Sequence, residues 1–572
     1  MNGAILLLAG CGFFAAAYLF YGRFIERVFG VEPDRPTPAH AMRDGIDYVP
    51  ARPSVLFGHH FASIAGAGPI VGPVLAAQFG WLAVALWVVF GCVLIGTVHD
   101  LAAMFLSVRH QGRSIGTVIE ALMGYWGRML FLFFCWFTLI LVVAEFLRLV
   151  TRTFITTPEV ATASLLFIAV AVVFGQVVYR KGVNIAKASL IFVPLTFACV
   201  YIGTLFPLDL VRLLGCSEAA ASQIWIMVLL GYCFAASVLP VWLLLQPRDY
   251  LNSYLLYAMM ALGLVGILVT VPAIRLDAFT GWRAVNPVSG ARDPLLPLLF
   301  VTVACGACSG FHALVASGTT AKQVDKESHL RPIAYGGMLI EGVLALIALI
   351  AIGVMSQGEY SEAMRSRGAV ALFADGVAGF TDKLGLPHHA GVVFISLALA
   401  AFLMTTLDTA TRLARFTWQE LFLPREASGS GQPIAAAATP ARLFFANRYI
   451  ATAFAVCVSG WLLLGGGSKS LWPIFASSNQ LLAALTLLGC LLWMIRHRRP
   501  VAVVLLPMLF MIFTSGSAVV TIFLRNAKAW NAEGFKAGGV MTLSAGVLFI
   551  MALTLIALGG VSLRHAAGKK NN

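Results

Sequence analysis

Residues 58–73 read GHHFASIAGAGPIVGP, a glycine- and proline-rich stretch among long apolar segments. A helix that crosses lipid must satisfy its backbone hydrogen bonds internally, so an interrupted helix is tolerated only where protein buries it or where it lines a cavity. Glycine and proline disfavour a regular helix interior. Interrupted spans hold substrates and ions in secondary transporters. The segment therefore predicts a transport protein with its binding site at the interruption.

The composition places the whole chain in a membrane. Of 572 residues, 60% are hydrophobic and only 11% are charged, and the mean hydropathy is +0.88. Soluble domains average about 25% charged residues. The apolar segments leave no room for a separate soluble catalytic domain, and the sequence has no GxxxxGK[ST] motif for ATP-driven pumping. We expect no enzymatic activity, no cofactor and no bound metal.

The hydropathy pattern predicts an all-α polytopic membrane protein with about 15 transmembrane helices. The first apolar segment lacks a basic n-region and a cleavage site, so it is predicted to be a retained span. The predicted spans are 3–21, 58–78, 81–108, 128–150, 160–179, 187–206, 221–245, 251–273, 295–316, 333–356, 389–411, 441–465, 475–495, 500–524 and 540–563.

The net charge of +14 is explained by membrane topology. With the N-terminus outside, about two thirds of the 39 Lys and Arg residues fall on the inner side, as the positive-inside rule requires. Fifteen spans then place the C-terminus in the cytoplasm. The lipid bilayer is thus an expected partner of the chain, and nucleic acid is not.

Four regions follow from the span positions and from one low-complexity stretch. Residues 1–57 hold the first span and a cytoplasmic loop, and residues 58–425 form a predicted transport core of spans 2–11. Residues 426–440, ASGSGQPIAAAATPA, form a predicted linker. Residues 441–572 hold the last four spans.

The orientation of the spans predicts an inverted repeat. Span 2, residues 58–78, runs outward, and span 7, residues 221–245, runs inward with Pro240 placed in mid-membrane. Two interrupted helices five spans apart and oppositely oriented are typical of a five-plus-five inverted repeat. A seven-plus-seven division, spans 2–8 against spans 9–15, also gives opposite orientations and stays open.

Ionisable residues inside spans are costly and are functional hypotheses by default. Glu145 and Arg148 are spaced i, i+3 and can neutralise each other. Asp408 has Arg412 at i+4, so a structural pair and a role in proton coupling are both open for it.

Glu341 has no partner at helical spacing. It is expected to be either a packed, protonated acid or a proton carrier. Asp100 follows His99 near the inner end of span 3, where hydration is expected.

Span 9 reads VTVACGACSGFHALVASGTTAKQ and is dense in small and hydroxylated residues. Ser309 offers an oxygen ligand, and His312 has an intrinsic pKa suited to proton coupling. The alternative is tight helix packing through small residues. For the same reason, Cys305 and Cys308 are interpreted as packing residues on a membrane helix rather than as a redox or metal site.

Two pairs of polar residues are candidates for gating. His59 and His60 open span 2, where adjacent side chains point to opposite sides of a helix, so a helix cap or a gating contact is favoured over joint metal binding. Asn479 and Gln480 lie after an expected outer mouth in GGGSKSLWPIFASSNQLLAAL. These two amides are candidates for gating, for inter-helix bonding or for substrate contact.

Six strings, in this order, carry a family resemblance: FGHHFASIAGAGPIVGPVLAAQFG, LPVWLLLQPRDYL, FVTVACGACSGFHALVASGTT, YGGMLIEG, TTLDTATRLARF and LWPIFASSNQLLAAL. They resemble the carbon starvation protein (CstA) family of bacterial inner-membrane transporters. The resemblance implies uptake of pyruvate or peptides by proton symport. It also implies a LeuT-like five-plus-five core in spans 2–11, in which hydroxyls of span 9 face the broken span and can complete a cation site.

The sequence leads to a hypothesis of alternating access around a midplane site. A small carboxylate would meet the backbone N–H groups near the interruption, where the helix dipole favours an anion. The predicted substrate-binding residues are Ala65, Gly66, Ala67, Gly68, Pro69, Ser237, Pro240 and Ser309, and the predicted coupling residues are Ser309, His312, Glu341 and Asp408.

Three other classes of function stay open. A passive channel would use the broken helices as its pore lining, and a membrane nutrient sensor would act through a partner. A membrane hydrolase would use Ser309 and His312, which are predicted to share a helix face at i, i+3, but the sequence has neither HExxH nor GxSG.

Overall fold

The structure is a computed structural model that describes residues 1–44, 48–240, 242–422, 439–465 and 471–568. Within these ranges, 14 helices are long and apolar enough to cross a membrane, and one bent pair of helices brings the number of spans to 15. Each predicted span overlaps one observed span. The predicted class, an all-α polytopic membrane protein, is confirmed.

We number the spans in chain order. They are Gly3–Phe29, Pro53–Ile64 with Gly68–Phe79, Trp81–Arg109, Ile115–Thr156, Pro158–Arg180, Ile185–Leu205, Glu218–Val238, Leu245–Thr270, Leu295–Lys322, Glu327–Gly353, His388–Phe422, Arg448–Gly465, Trp472–Arg496, Ala502–Glu533 and Phe535–Arg564.

Shorter elements connect the spans. Two antiparallel strands pair before span 9, and two consecutive short helices join span 10 to span 11. Span 4 is kinked at Gly124, whose φ of 80° is favourable only for glycine. The strands are Arg283–Val285 and Arg292–Pro294, and the short helices are Pro38–Ala41, Leu210–Leu214, Gln357–Ser366, Ala369–Asp382 and Pro440–Phe445.

Span 2 is interrupted where the sequence predicts it. The helix Pro53–Ile64 ends at Ala65, a new helix begins at Gly68, and the two axes differ by 45°. The sharp turn is closed by the Gly66 N–H, which donates to the Ile64 carbonyl oxygen at 2.7 Å. Every residue from His60 to Val74 is buried, so protein rather than lipid surrounds the interruption.

Span 7 is not interrupted in mid-membrane, and this prediction is wrong. Its helix runs without a break from Glu218 to Val238 and ends there. Pro240 follows the helix end and is exposed. The proline therefore terminates the span, which is its usual effect just beyond a helix.

The second interruption lies in span 9. A helix over Leu295–Val303 gives way to one 3₁₀ turn at Ala304–Gly306, and the α-helix resumes only at Phe311–Gly318. Ala304 has a φ of 48°, which a non-glycine residue seldom adopts. The interpretation of Cys305 and Cys308 as residues on a continuous helix is therefore wrong, because both lie in the interrupted segment.

The two interrupted segments contact each other through their backbones. A Cβ atom on Gly72 would lie 2.2 Å from the carbonyl oxygen of Val303, and a Cβ atom on Gly68 would lie 2.6 Å from the Sγ of Cys305. Only glycine permits this approach, as in other close helix contacts in membranes. Packing through small residues, one of the interpretations of span 9, is thus observed.

The last four spans are not a peripheral group. Span 13 is buried along its length and packs on spans 4 and 9, while spans 14 and 15 pack on span 13. Of the predicted linker at 426–440, residues 426–438 lie outside the described residues. The division into four regions stays a prediction, and so do both forms of the inverted repeat.

Gly72 allows a direct test of this packing. We expect Gly72→Ala to lower the stability of the protein by about 1–3 kcal/mol, because the new methyl group meets a backbone oxygen that cannot rotate away. The measurement is thermal unfolding in detergent. Gly12→Ala is the matched control, since a Cβ there meets nothing within 4 Å and alanine favours the helix. Equal midpoints for the two variants would contradict the assignment.

Candidate functional site

Three buried ionisable residues form a chain beside the two interruptions. The Asp100 carboxylate accepts a hydrogen bond from His312 Nδ1 at 2.8 Å. The other ring nitrogen of His312, Nε2, lies 3.3 Å from Glu341 Oε2. At most 1% of any of these three residues is exposed. They come from spans 3, 9 and 10, so the fold brings together residues far apart in sequence.

The hydrogen bonds fix the protonation pattern of His312. A carboxylate only accepts, so Nδ1 carries a proton and Nε2 is left facing Glu341. Neither Glu341 oxygen has an aligned hydrogen-bond partner among the described residues, although Nε2 is close. One proton can therefore sit on Nε2 or on the carboxyl group of Glu341.

The charge of this chain depends on one further proton. With both carboxylates ionised and His312 protonated on both nitrogens, the three side chains carry a net charge of −1. Burying an uncompensated charge is costly, and one added proton makes the group neutral. The three side chains therefore carry an unbalanced buried charge that one proton would neutralise.

Two more histidines extend the cluster. His99 Nδ1 lies 2.8 Å from Asp100 Oδ1, so both oxygens of that carboxylate are occupied. His60 is buried in span 2, and its Nδ1 lies 3.0 Å from the Thr320 hydroxyl in span 9. His59, its neighbour, is only partly buried, as expected for adjacent residues on a helix.

Asp100 corrects a prediction from the sequence. It was expected to be hydrated near the inner interface, but span 3 continues to Arg109 and Asp100 is 1% exposed. The sequence signal that identifies it is the pair His99–Asp100, which places a carboxylate next to an imidazole in an apolar segment.

Asn479 holds the interruption of span 9 in place. Its Oδ1 accepts from the Phe311 N–H at 2.8 Å, and its Nδ2 donates to the Ser309 hydroxyl at 3.1 Å. Its backbone oxygen accepts from the Gly310 N–H at 3.1 Å. Gln480 donates to the Phe300 carbonyl oxygen at 2.7 Å. Both amides are buried rather than set at an outer mouth, and the inter-helix interpretation describes their contacts.

Ser309 lies in the cluster but not as the sequence predicts. It precedes the helix that begins at Phe311, so it does not share a helix face with His312. Its hydroxyl accepts from the Cys305 thiol at 3.2 Å as well as from Asn479. His312 bonds to Asp100 instead, so the Ser–His arrangement that a hydrolase would require is not formed.

The residues Ala65, Gly66, Ala67, Gly68 and Pro69 line the interruption of span 2. In the first turn of the helix that starts at Gly68, Pro69 has no N–H, and the Ile70 and Val71 N–H groups donate to the Ala67 carbonyl oxygen at 3.2 and 2.8 Å. The Gly68 N–H is left at the positive end of this helix. A Cβ atom on Gly66 would lie 2.8 Å from the Thr406 hydroxyl of span 11. The interrupted segment is therefore enclosed by spans 9 and 11.

Ser237 and Pro240 lie in a different environment from the predicted opposite wall. The Ser237 hydroxyl lies 3.4 Å from that of Thr452 in span 12, and Pro240 is exposed. Their assignment to substrate binding gains no support from this arrangement. The physical reason is that span 7 ends at Val238 and turns away towards span 8.

Asp408 belongs to a second buried cluster. Its carboxylate accepts hydrogen bonds from Arg248 and Tyr232. The expected partner Arg412 instead donates to the carbonyl oxygens of Ala236 and Leu239, where it caps the end of span 7. The expected pair Asp408–Arg412 is therefore wrong, and Asp408 has a strong structural partner on span 8.

Arg248 was not predicted from the sequence, because it lies just before the predicted start of span 8, where a charged residue is common. In the structure it is 1% exposed. Asp249 beside it is also buried, with Oδ1 3.7 Å from Arg248 Nη2. A pair of opposite charges directly after a proline, as in QPRD, is a signal that could have identified them.

A cavity that contains three arginines lies between the second half of span 2, span 4 and the short helices before span 11. Arg148 is held there by Glu145 through contacts of 2.9 and 2.5 Å, which confirms the i, i+3 pair. Arg367 pairs with Asp375 at 3.2 Å. Arg152 has no carboxylate within ion-pair distance among the described residues and donates to the Ser366 carbonyl oxygen at 3.3 Å. The other residues that line the cavity include Val71, Leu75, Thr153, Thr156, Met364 and Ser396.

Interrupted spans around a buried group of ionisable side chains are typical of an integral membrane protein of the secondary-carrier type. The family model described as "Carbon starvation protein CstA" matches residues 2–367 and 361–518. The chain belongs to the CstA family, which confirms the resemblance found in the sequence.

Named relatives cover most of the chain. The "Peptide transporter CstA" of Bacillus subtilis (strain 168) is 33% identical over 90% of this chain and 89% of its own length. The "Pyruvate/proton symporter BtsT" of Escherichia coli (strain K12) is 31% identical over 86% of this chain and 78% of its own length. Among solved structures, MhsT in complex with L-phenylalanine is 14% identical, covers 89% of this chain and 99% of that chain, and has a TM-score of 0.44.

Replacing Asn479 tests its role at the interruption. We expect Asn479→Leu to lower the stability by about 1–3 kcal/mol, because the buried Phe311 N–H loses its acceptor. Thermal unfolding in detergent measures the effect. Ser478→Ala is the control, since among the described residues the Ser478 hydroxyl bonds only to the Phe475 carbonyl oxygen of its own helix. An Asn479→Leu protein as stable as the control would show that the interruption holds without this side chain.

Proposed function

We propose that this protein is a secondary active transporter that imports a small carbon source by alternating access, driven by protons. The substrate is pyruvate or a related monocarboxylate, or a short peptide. The protein works in the bacterial inner membrane, with the N-terminus outside and the C-terminus in the cytoplasm. The peptide and pyruvate functions in the names of its relatives support this substrate range.

The observation that carries the proposal is the buried chain Asp100–His312–Glu341 beside the two interrupted spans. Glu341 has no aligned hydrogen-bond partner among the described residues, and such a group is expensive unless it can gain a proton or a ligand. One protonatable group is sufficient to couple proton flow to transport if its proton affinity depends on the side of the membrane to which the binding site is open. Glu341 and His312 fill this role, with Ser309 as a neighbouring oxygen.

The interrupted backbone supplies the substrate site in this scheme. The Gly68 N–H and the positive end of the helix Gly68–Ala76 favour a carboxylate at Gly66–Gly68. Spans 2 and 9 contact each other at their interruptions, so a movement of either half-helix changes both the substrate site and the surroundings of Glu341. This shared contact links the two binding events. His59 and His60, at the other half of span 2, remain the proposed gating residues, with Asn479 and Gln480 as supports of span 9.

The arginine-lined cavity is the entrance in this proposal. Its wall includes Val71 and Leu75 of the second half of span 2. In the proposed topology this half faces outside, so the cavity opens to the external solution. Two of its three arginines are neutralised by Glu145 and Asp375, and Arg152 leaves one positive charge to attract an anionic substrate.

Asp408 has a smaller part in the proposal than was predicted from the sequence. Its ion pair with Arg248 already compensates its charge, so it need not exchange a proton during transport. We keep it as a secondary coupling candidate, to be compared directly with Glu341.

The function is tested by uptake of labelled pyruvate into proteoliposomes, with and without an inward proton gradient. Saturable accumulation that requires the gradient supports the proposal. A passive channel would give uptake without saturation and without accumulation against a gradient, and a sensor would give no uptake. Uptake of a dipeptide but not of pyruvate would assign the peptide function.

We expect Glu341→Gln to abolish gradient-driven accumulation while it preserves exchange of labelled for unlabelled substrate. The amide resembles a protonated carboxyl group in shape and charge, so the site stays loaded and cannot release its proton. Counterflow and gradient-driven uptake are measured in the same vesicles. Asp408→Asn serves as the comparison, and undiminished accumulation in Glu341→Gln would remove Glu341 from the mechanism.

We expect Arg152→Gln to raise the substrate concentration for half-maximal uptake about two- to fivefold at low salt, with little change in the maximal rate. A partly exposed charge contributes about 0.5–1 kcal/mol to such an encounter, and salt screens it. Arg365→Gln removes the same charge from the exposed face of the nearby helix Gln357–Ser366 and is the control. An equal effect of both variants would assign the change to overall charge.

A further inference from the structure

We infer that Cys305, His312 and Glu341 form a binding site for a borderline transition-metal cation such as Zn²⁺ or Co²⁺. One ligand atom from each residue lies within 4.8 Å of the other two, and all three residues are buried. The metal site is distinct from the proposed transport of an organic substrate. Its ligand is a metal ion, and binding of that ion requires no proton gradient.

The spacing of the ligand atoms fits a shared metal better than a direct hydrogen bond. His312 Nε2 and Glu341 Oε2 are 3.3 Å apart but are not aligned as donor and acceptor. Two ligands that each lie about 2.0–2.1 Å from a tetrahedral Zn²⁺ are about 3.3–3.4 Å apart. The imidazole and the carboxylate already stand at that separation.

The surroundings of His312 match those of a metal-binding histidine. Asp100 accepts from Nδ1 at 2.8 Å, which fixes the ring and leaves Nε2 as the ligand atom. A carboxylate behind the distal nitrogen is the usual second partner of a zinc-bound imidazole, and it makes the imidazole a stronger ligand. Asp100 is in turn held by His99.

The thiol also has partners suited to its ionised form. The Cys305 thiol donates to Ser309 at 3.2 Å, and the Asn479 amide nitrogen lies 3.5 Å from its sulfur. When the thiol loses its proton, the Ser309 hydroxyl can turn and donate to the sulfur, as the amide already does. Both contacts then stabilise a thiolate.

The ligand types select the class of metal. A set of one sulfur, one nitrogen and one carboxylate oxygen suits Zn²⁺ or Co²⁺, whereas Mg²⁺ and Ca²⁺ prefer oxygen ligands alone. With a thiolate, a carboxylate and a neutral imidazole, a divalent ion makes the three-ligand site neutral. Three protein ligands leave a fourth position open.

Metal binding and proton binding then exclude each other. The metal displaces the thiol proton and the proton shared by His312 and Glu341, so its affinity falls as the pH falls. Within the proposed function, an ion at this position occupies the coupling site. Zn²⁺ is therefore expected to inhibit transport.

The test is titration of the purified full-length protein with Co²⁺, followed by displacement with Zn²⁺. We expect one bound ion with a thiolate-to-cobalt charge-transfer band in the wild type. Cys305→Ser should lose the band and bind Zn²⁺ at least tenfold more weakly. Cys308→Ser is the matched control, since Cys308 lies in the same interrupted segment but outside the cluster, and it should bind as the wild type does.

Two results would overturn the inference: no charge-transfer band in the wild type, or a band that survives Cys305→Ser. If Cys305→Ser does not elute as a monodisperse protein, Glu341→Gln takes its place. That variant should keep the thiolate band with at least tenfold weaker binding, and unchanged affinity would also overturn the site. The titration uses neither substrate nor gradient, so its failure is distinct from a failure of the transport proposal.

Discussion

The buried side chain of Asn479 is the contact on which the central part of this protein depends. An interrupted helix in a membrane exposes backbone groups that lipid cannot satisfy. In span 9 these groups are at Gly310 and Phe311, and Asn479 accepts from both of them through its backbone and side-chain oxygens. Without this support, a continuous helix would satisfy more of the backbone hydrogen bonds of the segment and would be the more stable conformation. The turn that carries Cys305 and Ser309 would then be lost, and His312 would be turned away from Asp100.

The two buried charged clusters differ in what they can do. Asp408 is compensated by Arg248, so its charge is satisfied in one fixed arrangement and its contribution is structural. Glu341 faces a histidine that a second carboxylate already holds, so the three-residue chain lacks one positive charge. One added proton removes this imbalance. A divalent metal ion that displaces the Cys305 proton and the proton shared by His312 and Glu341 uses the same atoms and leaves the net charge unchanged. The group nearest to the interrupted helices is thus the one left open to a ligand.

The sequence was sufficient for the number of spans, the first interruption and the family, because each depends on composition or on local motifs. It also identified Glu341 and His312, since an ionisable residue in an apolar segment is conspicuous. It could not identify their partners, because Asp100, His312 and Glu341 meet only through packing of distant spans. Pro240 misled the prediction, since a proline shows that a helix stops but not whether the chain is still in mid-membrane. The interruption of span 9 was missed because CGACSG is equally compatible with a tightly packed helix.

The pairing of Asn479 with Ser309 also bears on how the protein is made. The two residues are 170 positions apart, so span 9 leaves the ribosome long before its support exists. At about 5–20 residues per second, the delay is about 10–30 s. During this time the backbone of Gly310 and Phe311 must find other partners, in the insertion machinery or in a provisional continuous helix. Span 13 is therefore needed to complete the centre of the protein, and a chain truncated before it would be inserted without the support of Asn479.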